Sequence, residues 1–324
     1  MIRRPASRFL HDAGHRPAEW VLLGYFSYTA SFAFLVGAAR GRRAEALSVL
    51  LGIVLLPFCA RFFGRAGSIA RDWIALALVP IAYWQVDWLR IPGIFRAPTE
   101  RWAAWDASFL DVWKVRAGIE RFGWFLPWLL ELSYSLLYAI PPLAVALLYL
   151  HRRRDRVDGF LFTFLLGTLL CYALLPCFPS DSPRVAFPGT DLPQVATVWR
   201  RLNLWVLERY DIGTSVFPSG HVAAAFAAAF AMMQSLPERK WVGRALLVLA
   251  GSVALATVYG RYHYAVDSLA ALGVSMGAAA AGAACGVASA PRRRGGSVPS
   301  QPPAGFDLAA RDDLDAGRAE APQG

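Results

Sequence analysis

Apolar residues in this chain gather into long runs broken by short basic clusters, and they do not alternate with polar ones. The runs at 18–39, 44–63, 72–90, 123–150, 158–178, 218–236, 241–260 and 264–287 come close to or exceed the roughly 20 residues that cross a bilayer core. They predict an all-α, polytopic transmembrane helix bundle of about six to eight spans. Two more stretches have helical periodicity without enough apolar length. In 192–211, Val195, Val198, Trp199, Leu202, Trp205 and Val206 recur at helical spacing, with Arg200, Arg201, Glu208 and Arg209 elsewhere. That pattern predicts an amphipathic helix in the headgroup zone. The stretch 95–121, with Trp102, Trp105, Phe109 and Trp113, predicts a second. From Ser289 onward, Pro, Gly, Ala and charge occur without periodicity, which reads as a disordered tail. The expected organisation is a cytoplasmic N-terminus over 1–17 and an N-terminal membrane region over 18–157. A catalytic membrane region over 158–288 and the tail over 289–324 follow.

Composition supports lipid as the solvent. Of 324 residues, 56% are hydrophobic and 17% charged, with mean hydropathy +0.39; soluble domains carry about 25% charged residues. Twelve Trp, eleven Tyr and twenty Phe suit aromatic belts at two interfaces. The net charge of +10 is spread over clusters between apolar runs, so a nucleic-acid partner is not expected. Basic clusters at 151–156, at 238–244 and at 292–294, with Arg3, Arg4, Arg8 and Arg16, all fall on one side of the predicted topology. The positive-inside rule makes that side cytoplasmic. Arg40 to Arg43 falls on the other side and is the exception. The first apolar run is longer than a signal-peptide core and lacks a cleavage site, so it reads as a retained helix. Cys59, Cys171, Cys177 and Cys285 lack metal-like spacing and read as small hydrophobes. Abundant Ala and Arg beside only two Lys suggest a GC-rich bacterial genome, and hence a bacterial cell membrane.

Three polar clusters remain, and the predicted topology puts all of them on the non-cytoplasmic face. The first, 176–184, ends at Arg184; the second is Phe217-Pro-Ser-Gly-His221; the third is Gly260-Arg-Tyr-His-Tyr-Ala-Val-Asp267. Their chemistry suits a phosphate. Ser219 and Gly220 at a helix start leave N–H groups free, and the helix dipole adds positive potential. Arg184 and Arg261 carry planar forks that match phosphate oxygens. His263 and Asp267 are four residues apart and share a helical face. The carboxylate can then hold one imidazole nitrogen while the other attacks, with His221 opposite to protonate a departing alkoxide. Taken singly, each residue is as readily a structural histidine or a snorkelling arginine. Their convergence at one membrane depth favours function. Within a span, Glu131 with Tyr134 and Tyr138 forms a candidate headgroup or lipid pocket, equally readable as an acid bonded within the bundle. Asp87, between Trp84 and Trp88, reads as structural.

The Pro-Ser-Gly-His and Arg-x-His-Tyr-x-x-x-Asp elements resemble the type 2 phosphatidic acid phosphatase superfamily. Their tight Arg-to-His spacing is more similar to its inositol phosphorylceramide synthase and sphingomyelin synthase branch. The resemblance covers roughly 158–287 and implies a six-helix core. It implies His263 as a phosphohistidine-forming nucleophile, Asp267 as its orienting partner and His221 as general acid. Arg184, Arg261, Ser219 and Gly220 would cradle the phosphate, with membrane lipids as substrate and neither metal nor cofactor. The family's first signature is absent: Lys114 and Arg121 have its spacing, but Phe122 stands where Pro is expected. The expected function is lipid phosphotransfer of the inositolphosphotransferase type. The alternatives are simple hydrolysis of phosphatidic acid or a polyprenyl pyrophosphate, a metal-dependent hydrolase using His221, His263 and Asp267, or a transporter. Oligomeric state is not legible.

Overall fold

The computed structural model describes residues 14–89, 97–213 and 215–287; the expected tail and most of the cytoplasmic N-terminus lie outside them. Every predicted span is helical. The N-terminal helices are α1 (Pro17–Leu35), α2 (Arg40–Phe62) and α3 (Gly64–Val86), followed by the short helices α4 (Thr99–Ala107) and α5 (Val115–Glu120). Next come α6 (Phe125–Leu136), α7 (Ile140–Leu150), α8 (Val157–Leu174) and the single turn α9 (Pro183–Ala186). The chain continues through α10 (Val198–Tyr210), α11 (Gly220–Ser235), α12 (Lys240–Tyr259) and α13 (Ala265–Ala284). Five segments are long and apolar enough to cross a membrane: Arg40–Phe62, Phe125–Leu150, Arg154–Cys177, Pro237–Tyr259 and Ala265–Ala284. Helix α11 has only 16 residues, or about 24 Å at 1.5 Å per residue, and is nearly enclosed by its neighbours.

Helix α8 is apolar nearly all round, and most of its surface is buried, with Leu170 left exposed. It packs against α1, α3, α11 and α13. Small residues set the close approach: a Cβ added to Gly167 would stand 2.8 Å from Ala227 Cβ, and one added to Gly282 would stand 2.3 Å from Thr163 Oγ1. Such packing replaces the hydrophobic drive that helices lack in lipid. The ends of the helices remote from the three polar clusters are tied by charge. Asp72 accepts from Arg16 at 2.6 Å and from Arg154 at 2.9 Å, and Glu19 takes a bidentate pair from Arg71. Buried charges are retained where each has a partner. Arg42 and Arg43, which break the topology rule, lie over the rings of Trp88 and Phe34, so their short loop holds its charge by cation–π contact.

The two interfacial stretches differ from the expected picture. In α10 Arg200, Asn203 and Leu207 point into the bundle, while Arg201, Glu208 and Arg209 are exposed together with Val198, Leu202 and Trp205. A buried acid, Glu131, partners the inward Arg200. In α4, Trp105 is exposed, but Trp102 and Asp106 face inward, with Trp102 stacked 5.2 Å from Phe217.

Candidate active site

The three polar clusters meet at one end of the bundle. Backbone bonds join them: Arg184 N–H donates to Arg261 O, and Ser219 N–H donates to Asp267 O, each at 3.2 Å. His221 comes from the first turn of α11. His263 precedes the start of α13, and Asp267 lies in that helix's first turn, where Oδ2 accepts the Tyr264 N–H at 2.9 Å. A carboxylate at this position caps free N–H groups and complements the helix dipole.

The turn that presents His263 is tightly determined. Arg261 is left-handed at φ +63°. A Cβ on Gly260 would meet the Tyr262 ring at 2.6 Å. The N–H groups of Tyr262 and His263 both donate to Thr257 O. Arg261 itself is buried, and its Nη1 donates to Asp106 Oδ2 at 2.8 Å. The other Asp106 oxygen accepts the Ala265 N–H at 2.9 Å, so one acid from α4 holds both sides of the turn. Burial pushes the Asp106 carboxyl up to about 6, against the lowering pull of the Ala265 N–H and the Arg261 guanidinium.

His263 Nδ1 lies 3.1 Å from Val216 O and 3.3 Å from Asp267 Oδ2. A carbonyl oxygen can only accept, which puts the proton on Nδ1 and leaves Nε2 with its lone pair. Nε2 faces His221 Nδ1 at 3.3 Å. His221 therefore donates there, and its own Nε2 accepts from Tyr138 Oη at 3.4 Å. Burial pushes the His263 imidazole down to about 4; Asp211 and the Val216 carbonyl oppose the shift, and Arg184 adds to it. At neutral pH the ring is uncharged and its Nε2 is a free base.

Beside this pair is a void of about 20 Å³, lined by His221, His263, Tyr262, Ser215 and Asp211 among others, with room for about one water. A far larger cavity, about 650 Å³, adjoins it between α3, the α6–α7 junction, α10 and α11. Its walls are largely apolar, from Leu76, Val79, Pro80, Leu137 and Phe164 among others, with His221 and Asp211 at its polar end. Asp211 was not anticipated from sequence. It accepts from Arg184 Nη2 at 2.9 Å and from Tyr83 Oη at 2.5 Å.

The remaining sequence candidates divide. Gly220 lines both spaces and lies so close to Tyr172 that a Cβ would stand 2.4 Å from its ring. Tyr138 lines the large cavity and Tyr134 the small void. Arg184 reaches the site through Asp211, and its Nε is buried without a partner. Ser219 is fully buried as the cap of α11, accepting the Val222 N–H. Arg261 does not share in this site, because its guanidinium is given to Asp106. Glu131 lines neither space; it is held by Arg200 at 3.0 Å, Asn203 at 2.8 Å and Tyr262 at 2.7 Å. Of its two sequence readings, the acid bonded within the bundle is the one observed. Lys114 and Arg121 are exposed on either side of α5 and line neither space. His221, His263 and Asp267 do not converge on a point, since Asp267 bonds the His263 nitrogen turned away from His221. Among the described residues no group of three or more His, Cys, Asp or Glu has the geometry to hold a metal ion.

The family model described as the PAP2 superfamily matches residues 107–281, more than half of the chain. The match reaches further toward the N-terminus than the 158–287 stretch that carries the motif resemblance. A PA-phosphatase related-family protein from Dictyostelium discoideum is 31% identical over 128 residues, 38% of this chain and 22% of that protein's length. The chain thus spans a little under a quarter of that relative's length. No solved structure matches.

Proposed function

The chain belongs to the PAP2 superfamily, and from that premise we propose that it transfers a phosphoryl or phospho-headgroup unit of a membrane lipid through a phosphohistidine on His263. The observation that carries this reading is the pairing of His263 Nε2 with His221 Nδ1 at 3.3 Å, with His263 Nδ1 tied to Asp267 and Val216 on its far side. A base fixed in tautomer and rotation, next to a second imidazole, is the arrangement of an oriented nucleophile and its proton partner.

In the first step the His263 Nε2 lone pair attacks phosphorus, and a P–N bond forms as the P–O bond to the leaving group breaks. His221, protonated to the imidazolium as the phosphate anion arrives, gives that proton to the departing alkoxide oxygen and returns to the neutral ring. The arriving phosphate favours this by raising the proton affinity of the imidazole beside it. Asp267 stabilises the positive charge that develops on the His263 ring. In the second step an O–H oxygen attacks phosphorus, its proton passes to His221, and the P–N bond breaks to restore His263. Gly220 at the helix start and the Arg184 guanidinium would balance charge on the phosphate oxygens. The void beside the histidines is too small for a phosphoryl group, so the imidazoles must part when substrate enters.

Water as acceptor makes the enzyme a phosphatase, and an alcohol makes it a phosphotransferase. The finer reading, from the spacing around His263, is headgroup transfer of the inositol phosphorylceramide synthase type. The reaction centre would face the non-cytoplasmic side, since the basic clusters lie at the other ends of the helices. Purified protein incubated with labelled phospholipids, with and without inositol or diacylglycerol, tests the proposal. Labelled transfer product or free phosphate, retained in excess chelator, is expected. Loss of all turnover in chelator would overturn the metal-free mechanism.

A further inference from the structure

The two turns that carry the histidines are both held by α4, a short helix outside the spans. Trp102 and Asp106, four residues apart, share its inner face, and both are buried. The Trp102 ring stacks on Phe217 at 5.2 Å and meets Tyr264 edge-on at 5.6 Å. Phe217 stands four residues before His221, and Tyr264 directly follows His263. Asp106 takes Arg261 Nη1 at 2.8 Å on one oxygen and the Ala265 N–H at 2.9 Å on the other. How this one helix sits therefore bears on the position of both imidazoles.

The outer face of α4 suits a different neighbour. Trp105, the residue before Asp106, is 55% exposed against 7% for Trp102. A five-residue turn of π type, Ser108–Val112, follows and leaves Val112 and Trp113 exposed. Arg101, Lys114 and Arg121 are exposed in the same segment. Indole rings among basic side chains fit the headgroup level of a bilayer, where the rings meet the acyl boundary and the cations meet lipid phosphates. Depth agrees with that partner. Helix α4 holds the turn between the spans Pro237–Tyr259 and Ala265–Ala284, and Trp124 and Phe125 are exposed where the span Phe125–Leu150 begins. The exposed rings thus stand at the ends of three spans, where hydrocarbon gives way to headgroups.

We propose that Trp105 and Trp113 seat α4 in the headgroup layer of the non-cytoplasmic leaflet, and that this seating, through Trp102 and Asp106, holds the two histidine turns in register for transfer. This reading rests on the reaction proposed for His263. Trp102 and Asp106 are positioning residues, since neither lines the large cavity or the void beside the histidines. A displaced α4 would move both turns, and a misplacement of about 1 Å at a reacting group can cost roughly a hundredfold in rate.

The full-length enzyme in phosphatidylcholine vesicles carrying a labelled phospholipid substrate tests the coupling. Trp105→Ser with Trp113→Ser removes the seating, and because both rings are exposed the thermal midpoint in detergent should not change. In vesicles kcat should fall roughly ten- to hundredfold, with KM little changed because the cavity is intact. In detergent micelles, which shape themselves to the protein, wild type and variant should turn over alike. A loss in both media would assign the rings to the fold and overturn the proposal. Trp105→Tyr with Trp113→Tyr should keep most of the rate, because tyrosine also settles at the headgroup level. Brominated phosphatidylcholine should quench a larger fraction of the tryptophan emission in wild type than in the serine variant. Equal quenching, or a wild-type kcat for the serine variant in vesicles, would overturn the proposal. Imidazole nitrogen shifts of His221 and His263 in lipid nanodiscs read the coupling without turnover. They should differ between wild type and the serine variant, and identical shifts would overturn it. Such a difference in an enzyme inactive on every phospholipid would support the seating of α4 while counting against the reaction at His263.

Discussion

His263 Nε2 and His221 Nδ1 stand 3.3 Å apart, so the lone pair assigned to attack is occupied by the imidazole assigned to protonate the leaving group. The resting site is a closed pair, and substrate phosphate must separate the two rings to react. A bound inert phosphate analogue is therefore expected to break this contact. Imidazole nitrogen chemical shifts of His221 and His263 should both move on titration with vanadate; unchanged shifts at saturation would contradict a closed resting pair.

Asp267 holds His263 by one oxygen and caps α13 with the same atom. Asp267→Asn can keep the cap while offering the ring the wrong hydrogen-bond partner. Turnover should fall by on the order of 10³- to 10⁴-fold, with little change in thermal midpoint. A large loss of stability with proportionate loss of activity would assign Asp267 to the fold alone.

Arg200 and Glu131 form a buried pair, at 3.0 Å, that fastens α10 to α6 and, through Tyr262, to the catalytic turn. Arg200→Leu leaves Glu131 without its charge partner. Breaking such a pair costs about 3–5 kcal/mol, so thermal denaturation in detergent should show a large drop. Replacing both residues with apolar ones should recover part of it.

Arg261 acts through Asp106. Asp106→Asn and Arg261→Gln should lower turnover and stability alike, and the double variant should be little worse than either alone, because both remove one interaction. Additive losses would mean that Arg261 has a separate task at the phosphate.

Acid should act late on His263. Its folded value, pushed to about 4 by burial, lies below the ordinary 6.5, so the folded state resists protonation. Stability tied to this ring is complete above about pH 6.5 and declines as pH falls toward 4. Asp211, Arg184 and His221 are the titratable or charged groups that face it, besides Asp267. The acid limb of kcat/KM should fall near pH 4 to 5, well below the 6.5 of an ordinary histidine. A limb at 6.5 or above, absent in Asp211→Asn, would mean that Asp211 overrides burial.

The bundle and the three polar clusters were legible because both signals are local: apolar runs of membrane length, and histidine, serine and acid at fixed spacing beside helix starts. Long-range charge pairing was not. Arg261 looks like a phosphate ligand until Asp106, more than 150 positions earlier, arrives across the turn. The only hint was that Asp106 lies four residues after Trp102, on the same face. Arg200 reads like its neighbours Arg201, Glu208 and Arg209 because Glu131, its partner, lies on another helix. Asp211 stands in no motif for the same reason: nothing near it in sequence shows that Tyr83 and Arg184 will hold it at the cavity.

The central claim is a covalent phosphate on His263. Enzyme mixed with a phospholipid labelled at phosphorus, quenched within a turnover and digested under alkaline conditions, should give an acid-labile label on the peptide containing His263. His263→Ala should carry no label and no turnover while still folding. A label on another residue, or full turnover by His263→Ala, would contradict the account.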